Sequence, residues 1–268
     1  MSNGDLLLFE KRGHVGTLTL NRPDKRNPLG LAGDGDQFRA MAARINGDFD
    51  LRCVIMTGAG PAFSAGGDLK AMRDRTGEFG VDNLRLRDHY RDSIHGIIKA
   101  MWSIEVPMIG AINGPAIGLG GDVASLCDIR LSAASAKFGA TFLKIGLIPG
   151  DGGAWLLPRI VGWSRAAQLY FTGDVVDAQT ARDWGLVSEV YPDDQLMAEA
   201  EKLAQKICAQ PPQTLRMTKR LMREGQTASF DAIMELSASM QVLVQRTDDH
   251  VEAVNAFFEK RAPKFEGR

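Results

Sequence analysis

Three stretches of the 268-residue chain carry residue types and spacings that could do chemistry, and all are built on glycine. Residues 62–70 read Ala-Phe-Ser-Ala-Gly-Gly-Asp-Leu-Lys. Residues 113–122 read Asn-Gly-Pro-Ala-Ile-Gly-Leu-Gly-Gly-Asp, and residues 146–153 read Gly-Leu-Ile-Pro-Gly-Asp-Gly-Gly. Windows 58–67, 114–121 and 146–153 hold twelve of the 29 glycines, whereas residues 193–268 hold only two, so glycine marks places rather than average composition. Without side chains there, a ligand can lie against bare backbone. The second stretch also opens a helix, whose first N–H groups lack intrahelical partners. Two strand-end loops with free N–H groups can form an oxyanion hole. Ordinary glycine turns are the competing reading of either loop alone.

Other chemistries are poorly served. There is no GxxxxGK[ST], and Gly118-Leu119-Gly120 lacks the third glycine of a dinucleotide fingerprint. Ser64 stands between Phe63 and Ala65, outside any GxSxG elbow. His14, His89, His95 and His250 lack metal-ligand spacing, so no metal site is expected, and each reads as a surface or satisfied structural residue. Cys53, Cys127 and Cys208 are odd in number and widely spaced, which fits buried reduced thiols in a cytoplasmic protein. A net charge of −1 argues against nucleic acid as the main partner. The N-terminus lacks a secretory pattern, and no apolar run approaches the ~18–20 residues that span a bilayer.

The loops need elements to hold them. Leu6–Lys11 and the alternating Val15–Leu20 predict a hairpin around Gly13-His14, and Phe38, Met41, Ala42 and Ile45 recur at helical spacing. The apolar runs Cys53–Thr57 and Pro107–Ile112 predict buried strands, each stopped by a glycine loop. Residues 82–101 read as a helix, Gly118–Cys127 as helical and Asp128–Ala133 as a strand. Four helices follow over 193–209, 211–223, 229–246 and 248–260. Strands alternating with helices predict an α/β layered body over residues 1–192, with a helical region over 193–268.

The loops together, in order along nearly the whole chain, resemble the crotonase (enoyl-CoA hydratase/isomerase) superfamily. The matching text includes Leu20-Asn21-Arg22-Pro23 with Asn27-Pro28-Leu29, then Phe63–Lys70, Asn113–Asp128, Phe138-Gly139, Gly146–Pro149 with Gly152-Gly153, and Phe257–Arg261. The resemblance implies a body of coiled ββα turns, a homotrimer or homohexamer, and an acyl-CoA substrate that brings its own coenzyme A, with no other cofactor. By position, the backbone N–H groups of Gly67 and Leu119 form the oxyanion hole for the thioester carbonyl. Ala65, Asp68, Leu69 and Lys70 line the coenzyme A path. Lys70 could pair with a phosphate or be an ordinary solvated lysine; Lys25 and Arg26 are similar candidates. Phe258 and Lys260 match a C-terminal aromatic and lysine that reach bound coenzyme A, sometimes across a subunit boundary.

Hydratases of this family carry two glutamates. The first position is Asp122, which shares a helix face with Leu119 three residues earlier. The second is Phe142, which cannot transfer a proton. Asp151, set between glycines nearby, is a substitute base, and its competing role is an N-cap. Hydration of a 2-enoyl-CoA is the favoured reaction. Double-bond isomerisation, other oxyanion-hole reactions (hydrolysis, decarboxylation, carbon–carbon cleavage) and a non-catalytic acyl-CoA-binding homologue remain alternatives.

Overall fold

A computed structural model describes residues 6–268. The expected hairpin is present: β1 (Leu7–Arg12) runs antiparallel to β2 (Val15–Leu20), turning through Gly13 at φ +57°. Next come α1 (Asp34–Gly47) and β3 (Cys53–Gly58), the latter buried at every position. The expected helix over 82–101 is interrupted. Following α2 (Leu69–Asp74), it appears as α3 (Asn83–His89), a π-turn over Tyr90–Ile94, and α4 (His95–Trp102). The break has a built support: Arg39 Nη1 donates to the Asp92 carbonyl at 2.9 Å, and Gly35 lies so close that a Cβ there would fall 2.1 Å from the same oxygen. Such π-turns cluster at functional sites, and this one carries Tyr90 and Ile94 into a cavity.

The chain then gives β4 (Met108–Ile112), β5 (Ala116–Ile117), α5 (Leu119–Ser125), β6 (Ile129–Ala133) and β7 (Lys137–Gly139). After a 3-10 turn over Thr141–Ile145 come α6 (Gly153–Val161), α7 (Trp163–Thr172), β8 (Val175–Asp177), α8 (Ala178–Asp183) and β9 (Glu189–Tyr191). The main sheet has the order β1-β2-β3-β4-β6-β9, parallel from β2 onward, and a smaller sheet has the order β5-β7-β8. Complete burial of β3 and β4 follows from their central place in a sheet covered by helices.

The helical region comprises α9 (Leu196–Cys208), α10 (Pro212–Glu224), α11 (Phe230–Gln245) and α12 (Asp248–Glu259). Its first helix is built into the body: α9 packs on β2, β3, β4 and β6, and Leu196, Ala200, Ala204 and Cys208 join the core. By contrast α11 and α12 leave Phe230, Leu243, Val251, Phe257 and Phe258 exposed. The three cysteines are free and buried, and burial pushes the Cys127 thiol up to about 12 and Cys208 to about 11. No helix among the described residues is long and apolar enough to cross a membrane.

Candidate active site

The segment Arg22–Leu29 latches the first glycine loop to the body. The Arg22 guanidinium clasps the fully buried Asp34 carboxylate through two hydrogen bonds of 2.6 and 2.9 Å. Asn27 is also fully buried; its amide donates to the carbonyls of Ala59 and Ala62 at 2.9 Å and of Phe63 at 3.2 Å, and its oxygen accepts from Arg22 N–H. Ala65 N–H then donates to the Arg26 carbonyl, and Leu29 N–H to the Gly66 carbonyl.

The two glycine loops are stitched together directly. Ser64 N–H donates to the Pro115 carbonyl and Ile117 N–H to the Ser64 carbonyl, each at 3.0 Å. The Ser64 hydroxyl donates to the Asn27 carbonyl, so this serine is structural. The spacing demands glycine: a Cβ on Gly66, at φ +86°, would lie 2.5 Å from the Ile117 carbonyl oxygen. This stitching puts Gly67 and Leu119 on one cavity wall. Among the described residues, neither backbone N–H has an acceptor.

The cavity encloses about 100 Å³ and is lined by both loops, Phe142 from the 3-10 turn, Asp151, and Phe79, Tyr90 and Ile94 from the 77–94 region. A larger groove, about 700 Å³, lies between α10 and the body beside Trp102, Trp155 and Lys219. Its Lys219 and Arg223 already pair with Asp128 and backbone carbonyls. The smaller cavity is the candidate active site because it brings the free backbone donors of Gly67 and Leu119 together with the carboxyl of Asp151.

Asp151 lies on that wall, 7% exposed, and burial pushes its carboxyl up to about 6, with His95 opposing. The N-cap alternative fails: Gly152 caps α6 with no side-chain bond. Asp122 lies one turn along α5, 5% exposed and outside the cavity lining. Burial, then the charge of Asp151, pushes its carboxyl well above the ordinary range, against a hydrogen bond from Gly153 N–H. Its Oδ2 is buried without a partner. Phe142 lines the same cavity, its ring over Gly118. A pair of free backbone donors beside two carboxyls whose ionisation burial resists can support proton transfer beside an enolate.

The other expected site residues divide. Ala65 and Leu69 line the cavity, and Lys25, Arg26 and Lys70 are exposed beside them in sequence. Asp68 is the N-cap of α2, its carboxylate accepting from Ala71 N–H, and like Lys70 it is outside the lining of this cavity. Phe258 and Lys260, at the end of α12, are exposed and are not brought to the cavity within one chain. His95 fits the structural expectation, its Nε2 donating to the Gly150 carbonyl at 2.9 Å beside Asp151. His89 does not: it is buried with Nε2 unpartnered, in T-shaped contact with the Phe79 and Tyr90 rings, while its Nδ1 lies 3.8 Å from the Glu78 carboxylate. Phe79, Tyr90 and Tyr170 escaped sequence reading, since no motif marks them. A tyrosine on the buried face of α7, beside Ala166 and Leu169, was the one available signal.

Fold and site define an enzyme that processes acyl-CoA thioesters. The chain belongs to the enoyl-CoA hydratase/isomerase family, whose model matches residues 10–268, and its fold is that of the crotonase superfamily. The 1,2-epoxyphenylacetyl-CoA isomerase of Escherichia coli is 36% identical over 98% of this chain and 99% of its own. The 2,3-dehydroadipyl-CoA hydratase of the same organism is 32% identical over 98% and 99%. The crystal structure of enoyl-CoA hydratase from Bacillus anthracis superposes with a TM-score of 0.91 at 33% identity, covering 98% of this chain and all of that one.

Proposed function

We propose that the chain adds water across the double bond of a 2-enoyl-CoA. The observation that carries this reading is the placement of two buried carboxyls beside the free N–H groups of Gly67 and Leu119: Asp151 lines the cavity with them and Asp122 is buried one turn along α5, and burial pushes both carboxyls up, Asp151 to about 6 and Asp122 well above the ordinary range. Hydration needs a base for the water and an acid for the α-carbon, and two carboxyls raised by burial supply both near neutral pH.

In this scheme the thioester oxygen sits between the N–H groups of Gly67 and Leu119. Asp151 takes a proton from water as the water oxygen bonds to the β-carbon. The double-bond pair moves through the α-carbon onto the carbonyl oxygen, giving an enolate. That charge is stabilised by the two amides, each contributing about 3–4 kcal/mol. The enolate then takes its proton from Asp122, which stands one turn behind the lining residue Leu119 on α5, and the proton on Asp151 passes to Asp122 to reset the pair.

Coenzyme A enters with the substrate, and no metal or separate cofactor is used. The exposed Lys25, Arg26 and Lys70 flank its phosphates. Phe258 and Lys260 contribute from a neighbouring subunit of a trimer or hexamer, whose contact surface includes the exposed apolar side chains of α11 and α12.

Double-bond isomerisation is the second reading. It is favoured by the phenylalanine at 142 and by the fact that, of the two aspartates, only Asp151 lines the cavity. A panel of 2-enoyl- and 3-enoyl-CoAs read by mass separates the two: hydration adds one water and isomerisation adds nothing. Asp122→Asn and Asp151→Asn should each lower kcat by about 10²–10⁴-fold. Full turnover in both variants would refute the assignment.

A further inference from the structure

The reaction above leaves Asp122 ionised in a place built for its neutral form. Once it gives its proton to the α-carbon, its carboxylate is buried with one donor, Gly153 N–H. A buried anion with a single hydrogen bond is costly. A second donor stands beside it. The Tyr170 hydroxyl, from α7, is buried and has no hydrogen-bond partner among the described residues, like Asp122 Oδ2. Both groups close on the same spot. A Cβ on Gly153 would lie 2.1 Å from Asp122 Oδ1 and 2.6 Å from the Tyr170 hydroxyl, so both oxygens border the space that glycine leaves empty. Burial holds the phenol protonated, and the neighbouring Asp122 and Asp151 act in the same direction. The hydroxyl is therefore a donor throughout turnover.

We propose that Tyr170 is a positioning residue that acts through Asp122: its hydroxyl donates to the Asp122 carboxylate as that group transfers its proton to the enolate. In the resting pair the phenol is a spare donor beside a neutral acid. As the Asp122 O–H bond breaks and the new C–H bond forms, charge appears on the carboxylate and the Tyr170 O–H becomes its second hydrogen bond. The arrangement places a preorganised donor where charge develops, one layer behind the substrate. When Asp151 returns the proton, the demand on Tyr170 ends. This inference rests on the hydratase reading, in which Asp122 changes charge.

The test is Tyr170→Phe, which removes one oxygen and keeps the ring. With a 2-enoyl-CoA substrate, kcat should fall about 10- to 100-fold, the range for a hydrogen bond to a charged group. KM should not change. The kcat–pH profile gives a second readout. Loss of a donor to the carboxylate makes Asp122 harder to ionise, so the alkaline limb should move to higher pH while the acid limb, set by Asp151, stays near 6. Thermal stability should be equal or higher, since an unpartnered buried hydroxyl is removed; a merely structural tyrosine would lower it. Unchanged kcat and unchanged limbs in Tyr170→Phe, with Asp122→Asn inactive and folded, would overturn the role of Tyr170 and leave that of Asp122 standing. Full activity in Asp122→Asn would overturn both.

Discussion

Replacing Asp151 by asparagine should make the protein more stable and less active, and the gain should depend on pH. The carboxyl is moved from 3.8 to about 6, chiefly by burial, which corresponds to about 3 kcal/mol disfavouring its ionised form in the folded protein. Below about pH 4 the carboxyl is neutral in both folded and unfolded chains, and nothing is lost. Between 4 and 6 the folded protein binds more protons than the unfolded one, so stability falls as pH rises; above 6 the full penalty is present. Asparagine keeps the shape without the charge but still buries a polar group, so the net gain at pH 8 is about 1–3 kcal/mol. Urea unfolding of both proteins at pH 4, 6 and 8 measures it as a rise in midpoint at constant slope. The midpoints should coincide at pH 4 and separate progressively toward pH 8, while kcat/KM at pH 8 drops about 10²–10⁴-fold. A gain that is the same at all three pH values, or a loss of stability at pH 8, would refute the claim that an ionised, desolvated carboxylate stands on the cavity wall.

Two further outcomes follow from the same geometry. Phe142→Ala removes a buried ring from the wall that dries Asp151, so it should cost about 3–5 kcal/mol in denaturant unfolding and also shift the acid limb of kcat/KM below 6 as water enters. Asn27→Ala leaves the carbonyls of Ala59, Ala62 and Phe63 without their buried donor at a residue with φ +54°; it should cost about 3 kcal/mol or more and raise KM for acyl-CoA through the loosened first loop.

What the sequence determined by itself is local. Alternation in Val15–Leu20, continuous apolarity in Cys53–Thr57 and helical spacing in the last four helices each name an element, because side-chain burial repeats with the backbone period. The glycine loops were legible for a related reason: a close backbone approach, as at Gly66, tolerates no Cβ, so the constraint is written directly in residue type. The π-turn at Tyr90–Ile94 was not legible, since it depends on Arg39 and Gly35 from another helix. Which aspartate faces the cavity was not legible either. Asp122 and Asp151 are the same residue type, and only the fold separates them: Asp151 is left on the cavity wall, its carboxyl pushed up to about 6 by burial, while Asp122 is buried beside Gly153 and Tyr170, its carboxyl pushed well above the ordinary range. Protonation depends on desolvation and on neighbouring charges distant along the chain, and these exist only once the chain has folded.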